Sequence, residues 1–441
     1  MKSHTSSATR PKGTIDFLPR PTSAESGLFD SEQKTQVEQL FRDTVRRYGF
    51  REIVTPVFEH SELFTKSAGD SSDIVTKEMY SFTDRADRQL VLRPEGTPGV
   101  IRAVLSAGIR LPARLFYVGP FFRYSRPQKG RYRQFHQLGV EALGEASPLA
   151  DAELIRLGQE FYRSVGILDC TTAINSIGCR LCRPLFRDHL RAFLLERQQD
   201  FCDDCRRRIE LNPLRVYDCK LASCQAALDK APRPIGHLCP ECRGHFEAVL
   251  EDLRRSNTAF SINDRLVRGL DYYSRTTFEY TGPALGAQDS LGGGGRYDYL
   301  IGDMGGQNEP AVGFALGLER TLLAANSRLQ STDTTRQPLV FVVWFSDNEF
   351  PIARDLAEQL RQADVPARLD YEALSTGTAN PLRHQLKAAD VAAARLAVIV
   401  APEELKGGVY SLKDLATGEQ HRVPGADLVS CIRGLLGTDR P

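Results

Sequence analysis

The stretch Phe122-Arg-Tyr-Ser-Arg-Pro-Gln-Lys-Gly-Arg-Tyr-Arg-Gln-Phe-His-Gln-Leu-Gly-Val-Glu141 sets the architecture of this chain. From Phe121 to His136 it carries Arg123, Arg126, Lys129, Arg131 and Arg133, no acid, and Phe and Tyr between the cations. Alternation from Gln134 puts Phe135, Gln137 and Gly139 on one face of a strand and His136, Leu138 and Val140 on the other. A bulge is expected before Glu141. With the apolar run from Leu115, this makes a strand–loop–strand unit over Leu115 to Val140. Guanidinium groups at a strand end can fork onto phosphates or onto a nucleic-acid end. A solvated basic hairpin is the plainer alternative, and the aromatic interleaving argues against it.

The chain has 441 residues, enough for two or three domains, with 41% apolar and 26% charged residues. That composition excludes a disordered or fibrous chain. Lys plus Arg is 57 against 56 Asp plus Glu, a net charge of +1. A nucleic-acid partner must therefore be met by a local basic patch. No run of 18 apolar residues exists, so no membrane span is expected. The start MKSHTSSATRPKGTIDF has no apolar signal core, so a cytoplasmic location is expected. The ten cysteines then read as thiols or metal ligands before disulfides.

Residues 1–10 are small and polar and read as a frayed start. From Ser31 to Tyr48, Val37, Leu40, Phe41 and Val45 recur at helical spacing, and Gly49 can stop that helix. Phe50 to Val57 is strand-like, Gln89 to Leu92 is a second strand, and a helix runs through Val100 to Leu105. Alternation resumes over Phe260 to Tyr280, Gly292 to Tyr297 reads as a glycine-rich turn, and Phe314 to Leu323 as a helix. Gln330 to Gln337 is polar without apolar period and is the linker. Beyond it, strands at Pro338 to Phe345, Ala367 to Leu369 and Leu396 to Ala401 alternate with helices at Ile352 to Leu360 and Leu382 to Ala389. That alternation predicts a small parallel or mixed sheet covered on both faces.

Phosphate loops of the GxxxxGK[ST] and GxGxxG types are absent, as are HExxH and GxSxG. A bound nucleotide must then be held by arginines on a sheet. In Arg93-Pro-Glu-Gly-Thr97 a carboxylate and a hydroxyl stand two residues apart, a receptor for an ammonium group; an ordinary turn with a helix cap at Thr97 has the same spacing. Leu266-Val-Arg-Gly-Leu-Asp-Tyr-Tyr-Ser-Arg-Thr-Thr-Phe-Glu-Tyr280 is strand-like and crowded with polar groups. Val312-Gly-Phe-Ala-Leu-Gly-Leu-Glu-Arg320 places Arg320 one turn into a helix. Between Cys179 and Cys242 lie four close pairs: Cys179/Cys182, Cys202/Cys205, Cys219/Cys224 and Cys239/Cys242. Eight thiolates suit two closed, structural zinc sites; a set of reduced, partly buried thiols is the alternative.

Taken in order, these segments resemble the histidyl-tRNA synthetase family of class II aminoacyl-tRNA synthetases. Phe41 to Pro56 resembles the family's first motif, which builds its dimer interface. Arg93-Pro-Glu-Gly-Thr97 with Gly119 to Gly144 resembles the second, and Ala311 to Arg320 the third. LVRGLDYYSRTTFEY (Leu266 to Tyr280) and LGGGGRYDYL (Leu291 to Leu300) resemble its two histidine-specific stretches. The resemblance implies an α+β catalytic domain, an antiparallel sheet flanked by helices, over residues 11–329. A Cys-rich module over 179–256 interrupts it, 330–337 is a linker, and an α/β anticodon-binding domain fills 338–441.

The implied reaction joins histidine and ATP into histidyl-adenylate, then passes the acyl group to the 3′ end of tRNA(His). By resemblance Arg123, Arg268 and Arg320 are catalytic and bind ATP, with Mg²⁺ accompanying its phosphates. Histidine would be held by Glu95, Gly96, Thr97, Arg123, Gln137, Glu141, Arg268, Tyr272, Tyr273 and Tyr297. Glu95, Thr97 and Gln137 suit its α-amino group; Glu141 and the tyrosines would surround its imidazole. Arg126, Lys129 and Arg131 would meet the tRNA acceptor end, and Arg383, Lys387 and Lys406 are candidates for anticodon contacts. A homodimer with no membrane association is implied. The competing expectation is a non-catalytic regulatory subunit of histidine biosynthesis; it shares the catalytic fold but typically lacks the C-terminal domain and part of the arginine set.

Overall fold

A computed structural model of the chain describes residues 9–19, 28–68, 74–283, 289–325, 329, 337–372 and 381–437. Contacts divide it into two units, Met1–Ser331 and Thr332–Pro441. Most of the expected frayed start and linker lie outside the described residues.

Unit one is built on an eight-stranded sheet. Its strands are β1 (Arg51–Glu52), β2 (Ala113–Phe122), β3 (Gln134–Leu143), β4 (Thr171–Ser176), β5 (Ser261–Ile262), β6 (Ser274–Thr281), β7 (Ser290–Arg296) and β8 (Ala311–Gly317). Their order is β5-β4-β6-β7-β8-β3-β2-β1. The six central strands are antiparallel, as expected; the two-residue edge strands β1 and β5 pair in parallel. The strand-like run at Phe50 to Val57 thus yields only β1, because past Glu52 the chain turns toward a separate three-stranded sheet of Phe58–His60, Gln89–Leu92 and Tyr80–Thr83.

One face of the sheet is closed by helices. Helix α1 (Ser31–Arg47) starts where the Asp30 carboxylate accepts from the Glu32 amide at 2.7 Å, and ends before Gly49, whose φ of +81° reverses the chain. Val37, Phe41 and Val45 are fully buried, each contributing roughly 1.5–3 kcal/mol. They join Leu138, Val140, Phe278 and Phe314 of the sheet and Phe161 of α3 (Pro148–Ser164) in one core. The opposite face carries α2 (Thr97–Ala107) and the Cys-rich insert, whose apolar residues form one continuous cluster with Tyr117, Tyr272, Tyr273 and Tyr297.

Four local expectations are corrected. The hairpin register runs unbroken from Ala113↔Leu143 to Phe122↔Gln134, so no bulge precedes Glu141 and it shares the face of Gln137 and Gly139. The glycine run is the middle of strand β7, not a turn. Gly294 lies in register with Phe278 and Phe314, whose rings meet at 6.4 Å; a Cβ there would stand 2.6 Å from the Phe314 Cβ. On the other face a Cβ at Gly293 would come within 2.9 Å of Arg268, and one at Gly295 within 3.0 Å of Tyr273. The chain between Ile262 and Ser274 is a loop whose polar groups are shared between the insert and strands β4 and β6: Asn212 bonds Asp271 and Gln225 bonds Arg265, while Asn175 bonds the Leu266 carbonyl and Glu279 bonds Arg268. Likewise Phe314 to Gly317 completes β8, and helix α8 is Leu318–Ala324, with Arg320 in its first turn.

Unit two is a mixed five-stranded sheet. Strand β9 (Gln337–Trp344) pairs in parallel with β10 (Ala367–Arg368) and β11 (Ala394–Val400), while β12 (Val409–Asp414) and β13 (Gln420–Pro424) extend it antiparallel. Val340, Val342 and Trp344 pack against α9 (Phe350–Gln362) and α11 (Leu428–Leu436); Phe341 and Val343 face α10 (Pro381–Val391). Both faces are covered, and β12, β13 and α11 extend the unit past the predicted elements. No helix among the described residues is long and apolar enough to cross a membrane.

Candidate active site

Two cavities adjoin on the sheet face opposite α1. The first, about 170 Å³, is lined by Glu95, Gly96, Thr97, Tyr117, Gln137, Arg268, Tyr272, Tyr273 and Tyr297. Its floor consists of residues in register, small ones in the middle strands and larger ones toward the ends. Tyr117, Gly139, Ala315, Gly293 and Glu279 form one row across five strands, and Glu141, Gly313, Gly295 and Thr277 the next. Gly313 is obligatory, since a Cβ there would sit 2.0 Å from Glu141 Oε2. The second cavity, about 330 Å³, is lined by Arg131, Tyr132, Phe135, Ser290, Gly292, Gly317 and Arg320. Arg123, Gln137 and Ala315 line both.

The polar groups of the first cavity form two linked sets. The Thr97 hydroxyl donates to Glu141 Oε1 at 2.6 Å, and the Tyr297 hydroxyl to Glu141 Oε2. The Tyr272 hydroxyl donates to Glu95 Oε2 at 2.7 Å. Thr97 and Tyr272 thus each bond the carboxylate assigned to the other half of the substrate. Gly96, not Thr97, is the helix cap. Burial pushes Glu95 up to about 7 despite the Tyr272 bond and nearby Arg123. It pushes Glu141 up to about 8, Glu95 adding to the rise and the bonds from Thr97 and Tyr297 opposing it. Glu95 Oε1, Gln137 Oε1 and the Tyr117 hydroxyl are buried without a hydrogen-bond partner. Such atoms are costly unless a ligand completes them.

The arginines flank the junction. Arg123 Nε donates to the Pro94 carbonyl at 2.8 Å and its guanidinium lies 5.4 Å from the Phe135 ring centre. Arg268 pairs with Glu279 at 2.9 Å, and Ser290 donates to the same carboxylate oxygen at 2.8 Å. Arg320 donates to the carbonyls of Gly130 and Ser290. Of the loop residues, Arg126 and Lys129 are exposed and Arg131 pairs with Glu78, on a tight turn closed by mutual Gln128–Arg131 backbone bonds. In unit two Lys406 pairs with Glu403 on the surface.

Tyr117 and Glu319 escaped the sequence reading. Tyr117 stands between Gly96 and Gly139, where a Cβ would come within 2.2 Å of its ring; its position opposite Gly139 in the hairpin was the signal. Glu319 is buried and accepts from the His136 amide at 2.9 Å and its ring Nδ1 at 2.8 Å, fastening α8 to β3.

The eight paired cysteines gather into two tetrads: Cys179, Cys182, Cys239 and Cys242, and Cys202, Cys205, Cys219 and Cys224. Within each, the sulfurs all lie within 4.8 Å of one another.

The sequence profile described as histidyl-tRNA synthetase matches residues 25–321, and that of the anticodon binding domain matches residues 339–435. The histidine–tRNA ligase of Moorella thermoacetica is 45% identical over 428 residues, 96% of this chain and 98% of that protein. That of Desulforudis audaxviator is also 45% identical over 428 residues, with the same coverage. Among solved structures, the apo histidyl-tRNA synthetase of S. aureus superposes with a TM-score of 0.78 at 30% identity, over 97% of this chain and all of that one. With its class II catalytic sheet, its anticodon-binding domain and relatives matched end to end, the chain belongs to the histidyl-tRNA synthetase family.

Proposed function

We propose that the chain is a histidine–tRNA ligase in which the first cavity holds histidine and the second ATP. The observation that carries this is the pair of unpartnered acceptors, Glu95 Oε1 and Gln137 Oε1, buried in a cavity that adjoins an arginine-lined one. An ammonium group supplies the missing donors. The imidazole then lies toward Glu141, Tyr272, Tyr273 and Tyr297, and the substrate carboxylate toward Arg123 and Arg268 at the junction. A carboxylate oxygen attacks the α-phosphorus of ATP, the bond to the bridging oxygen breaks, and pyrophosphate leaves. No general base is needed, because the nucleophile is already an anion. Arg123, Arg268 and Arg320 hold the phosphates and stabilise charge on the α-phosphoryl oxygens.

Mg²⁺ neutralises the β- and γ-phosphates when bound. Glu279, in register with Gly293 and bonded by Arg268 and Ser290, would offer it an oxygen ligand of the type the ion prefers. A terminal ribose hydroxyl of tRNA(His) then attacks the histidyl carbonyl and AMP departs. Arg126, Lys129 and Arg131 meet the acceptor end, and unit two reads the anticodon. Two copies pair through the first-motif edge, where Val54 and Phe58 are 84% and 54% exposed beside β1; sedimentation of the pure chain at twice its monomer mass is the expected result. The setting is the cytoplasm, where tRNA is charged.

Amino-acid-dependent exchange of pyrophosphate into ATP tests the whole reading. Exchange with histidine alone among the twenty amino acids is expected. No exchange from a folded sample would favour the regulatory-subunit alternative, against which the matched anticodon domain and the end-to-end ligase relatives stand.

A further inference from the structure

The geometry of the insert points to two zinc ions, one in each thiolate tetrad, that position the loop 263–273 carrying Arg268. In the first tetrad the Cys179–Cys182, Cys179–Cys239 and Cys182–Cys242 sulfur separations are 3.8, 3.9 and 3.8 Å. A tetrahedron with zinc–sulfur bonds of about 2.3 Å has sulfur–sulfur edges of about 3.8 Å. A disulfide needs about 2.05 Å, so these sulfurs are unbonded to one another. Four sulfurs this close leave room for a single ion and not for an iron–sulfur cube. Backbone amides turn toward the sulfurs, as thiolates require. Cys179 N lies 3.3 Å from Cys182 Sγ, Leu181 N 3.4 Å from Cys179 Sγ, and Cys202 N 3.4 Å from Cys224 Sγ.

The tetrads pair cysteines that are distant in sequence. The first joins the exit from β4 to the start of helix α7 (Pro240–Arg255), closing the insert at its base; the second joins the start of α5 (Asp203–Leu211) to α6 (Ala222–Ala227). Helices of nine and six residues are marginal without tertiary support, and a metal ion supplies a folding nucleus that short apolar segments cannot.

Residues of the segments that both tetrads tie together bond the Arg268 loop directly. In the segment between Cys205 and Cys224, Asn212 donates to Asp271 Oδ1 at 2.7 Å. Just past Cys224, the Gln225 side-chain oxygen accepts from Arg265 at 3.2 Å, while its amide nitrogen bonds the Cys219 carbonyl at 2.5 Å. Arg265 and Asp271 bracket Arg268. From the first tetrad, Arg183, next to Cys182, donates to the carbonyls of Tyr273 at 2.5 Å and Asp271 at 3.3 Å. A substrate-binding arginine on an irregular loop must be held in place to act, and here the holding groups hang on the thiolate sites.

This inference rests on the proposed function for its kinetic consequence but not for the metal. Elemental analysis of the full-length protein, purified without chelator, is expected to find two zinc and no iron per chain. Absence of metal, or iron in its place, overturns the assignment. Cys224→Ser is expected to retain one zinc and to raise the KM for histidine at least 10-fold in pyrophosphate exchange. Cys224→His, which restores a zinc ligand, is expected to return both the second zinc and the histidine KM. Loss of one zinc with an unchanged histidine KM overturns the positioning role. If Cys224→Ser fails to fold, Cys224→His decides alone: two zinc and a near-parental KM support the proposal, and a folded chain with one zinc and a parental KM refutes it. A parent chain holding two zinc without histidine-dependent exchange sinks the functional reading and leaves the metal sites standing.

Discussion

Replacing Glu141 with Gln separates what this site does for binding from what it does to stability. Glu141 is 1% exposed and, among the described residues, its carboxylate is bonded by the Thr97 and Tyr297 hydroxyls. Burial therefore raises its pKa from 4.5 to about 8. Below pH 4.5 both folded and unfolded chains hold the proton and the site is fully tolerated. As pH rises toward 8 the unfolded chain releases its proton and the folded one retains it, so stability falls. The gap of about 3.5 units, at 1.36 kcal/mol each, amounts to ~5 kcal/mol lost above pH 8. Glutamine has the same shape and no charge. Glu141→Gln is thus expected to melt with the parent at pH 5 and several degrees above it at pH 8.5, by scanning calorimetry. Above pH 8, where the carboxylate is ionised, the same change removes an anionic acceptor for the imidazole N–H, a bond worth about 2–3 kcal/mol. Pyrophosphate exchange should then show kcat/KM for histidine reduced roughly 30- to 150-fold, with the KM for ATP unchanged. A pH-independent melting difference would refute the burial argument; unaltered histidine kinetics would remove Glu141 from the site.

Gly313→Ala pushes a methyl group against Glu141 Oε2 and the Val140 carbonyl at 2.0 and 2.5 Å. Histidine activation should fall at least ~100-fold with a stability loss of about 1–3 kcal/mol, read by exchange and denaturant titration. Tyr117→Phe deletes a buried hydroxyl that has no partner, so melting should hold or rise while the histidine KM increases about 10-fold; a drop in melting temperature would show that the hydroxyl is satisfied. Asp151 accepts from Arg296 and His245, all three buried, with Arg296 fully so. Asp151→Asn leaves Arg296 short of counter-charge and should cost about 3–5 kcal/mol in urea unfolding; a change under 1 kcal/mol would contradict the pairing.

What the sequence by itself determined is local. The spacing of Val37, Phe41 and Val45 produces α1, alternation from Gln134 produces β3, and CxxC spacing marks thiols that one turn can bring together. The ordered motifs were enough for the family and its class II fold. Tertiary structure decided everything that depends on distant partners. Thr97 meets Glu141, and Tyr272 meets Glu95 from 177 residues away. Gly292 to Gly295 read as a turn because glycine favours turns; they are a strand because Phe278 and Phe314 meet over Gly294, while Arg268 and Tyr273 need the space above Gly293 and Gly295. Leu266 to Tyr273 had strand composition, but it is a loop whose polar groups go to separate partners: Asn212 and Arg183 of the insert, Asn175 of β4, Glu279 of β6 and Glu95. Four cysteine pairs allow several groupings, and chain geometry joins the first with the last. Periodicity records which face a residue takes; only packing brings two faces together.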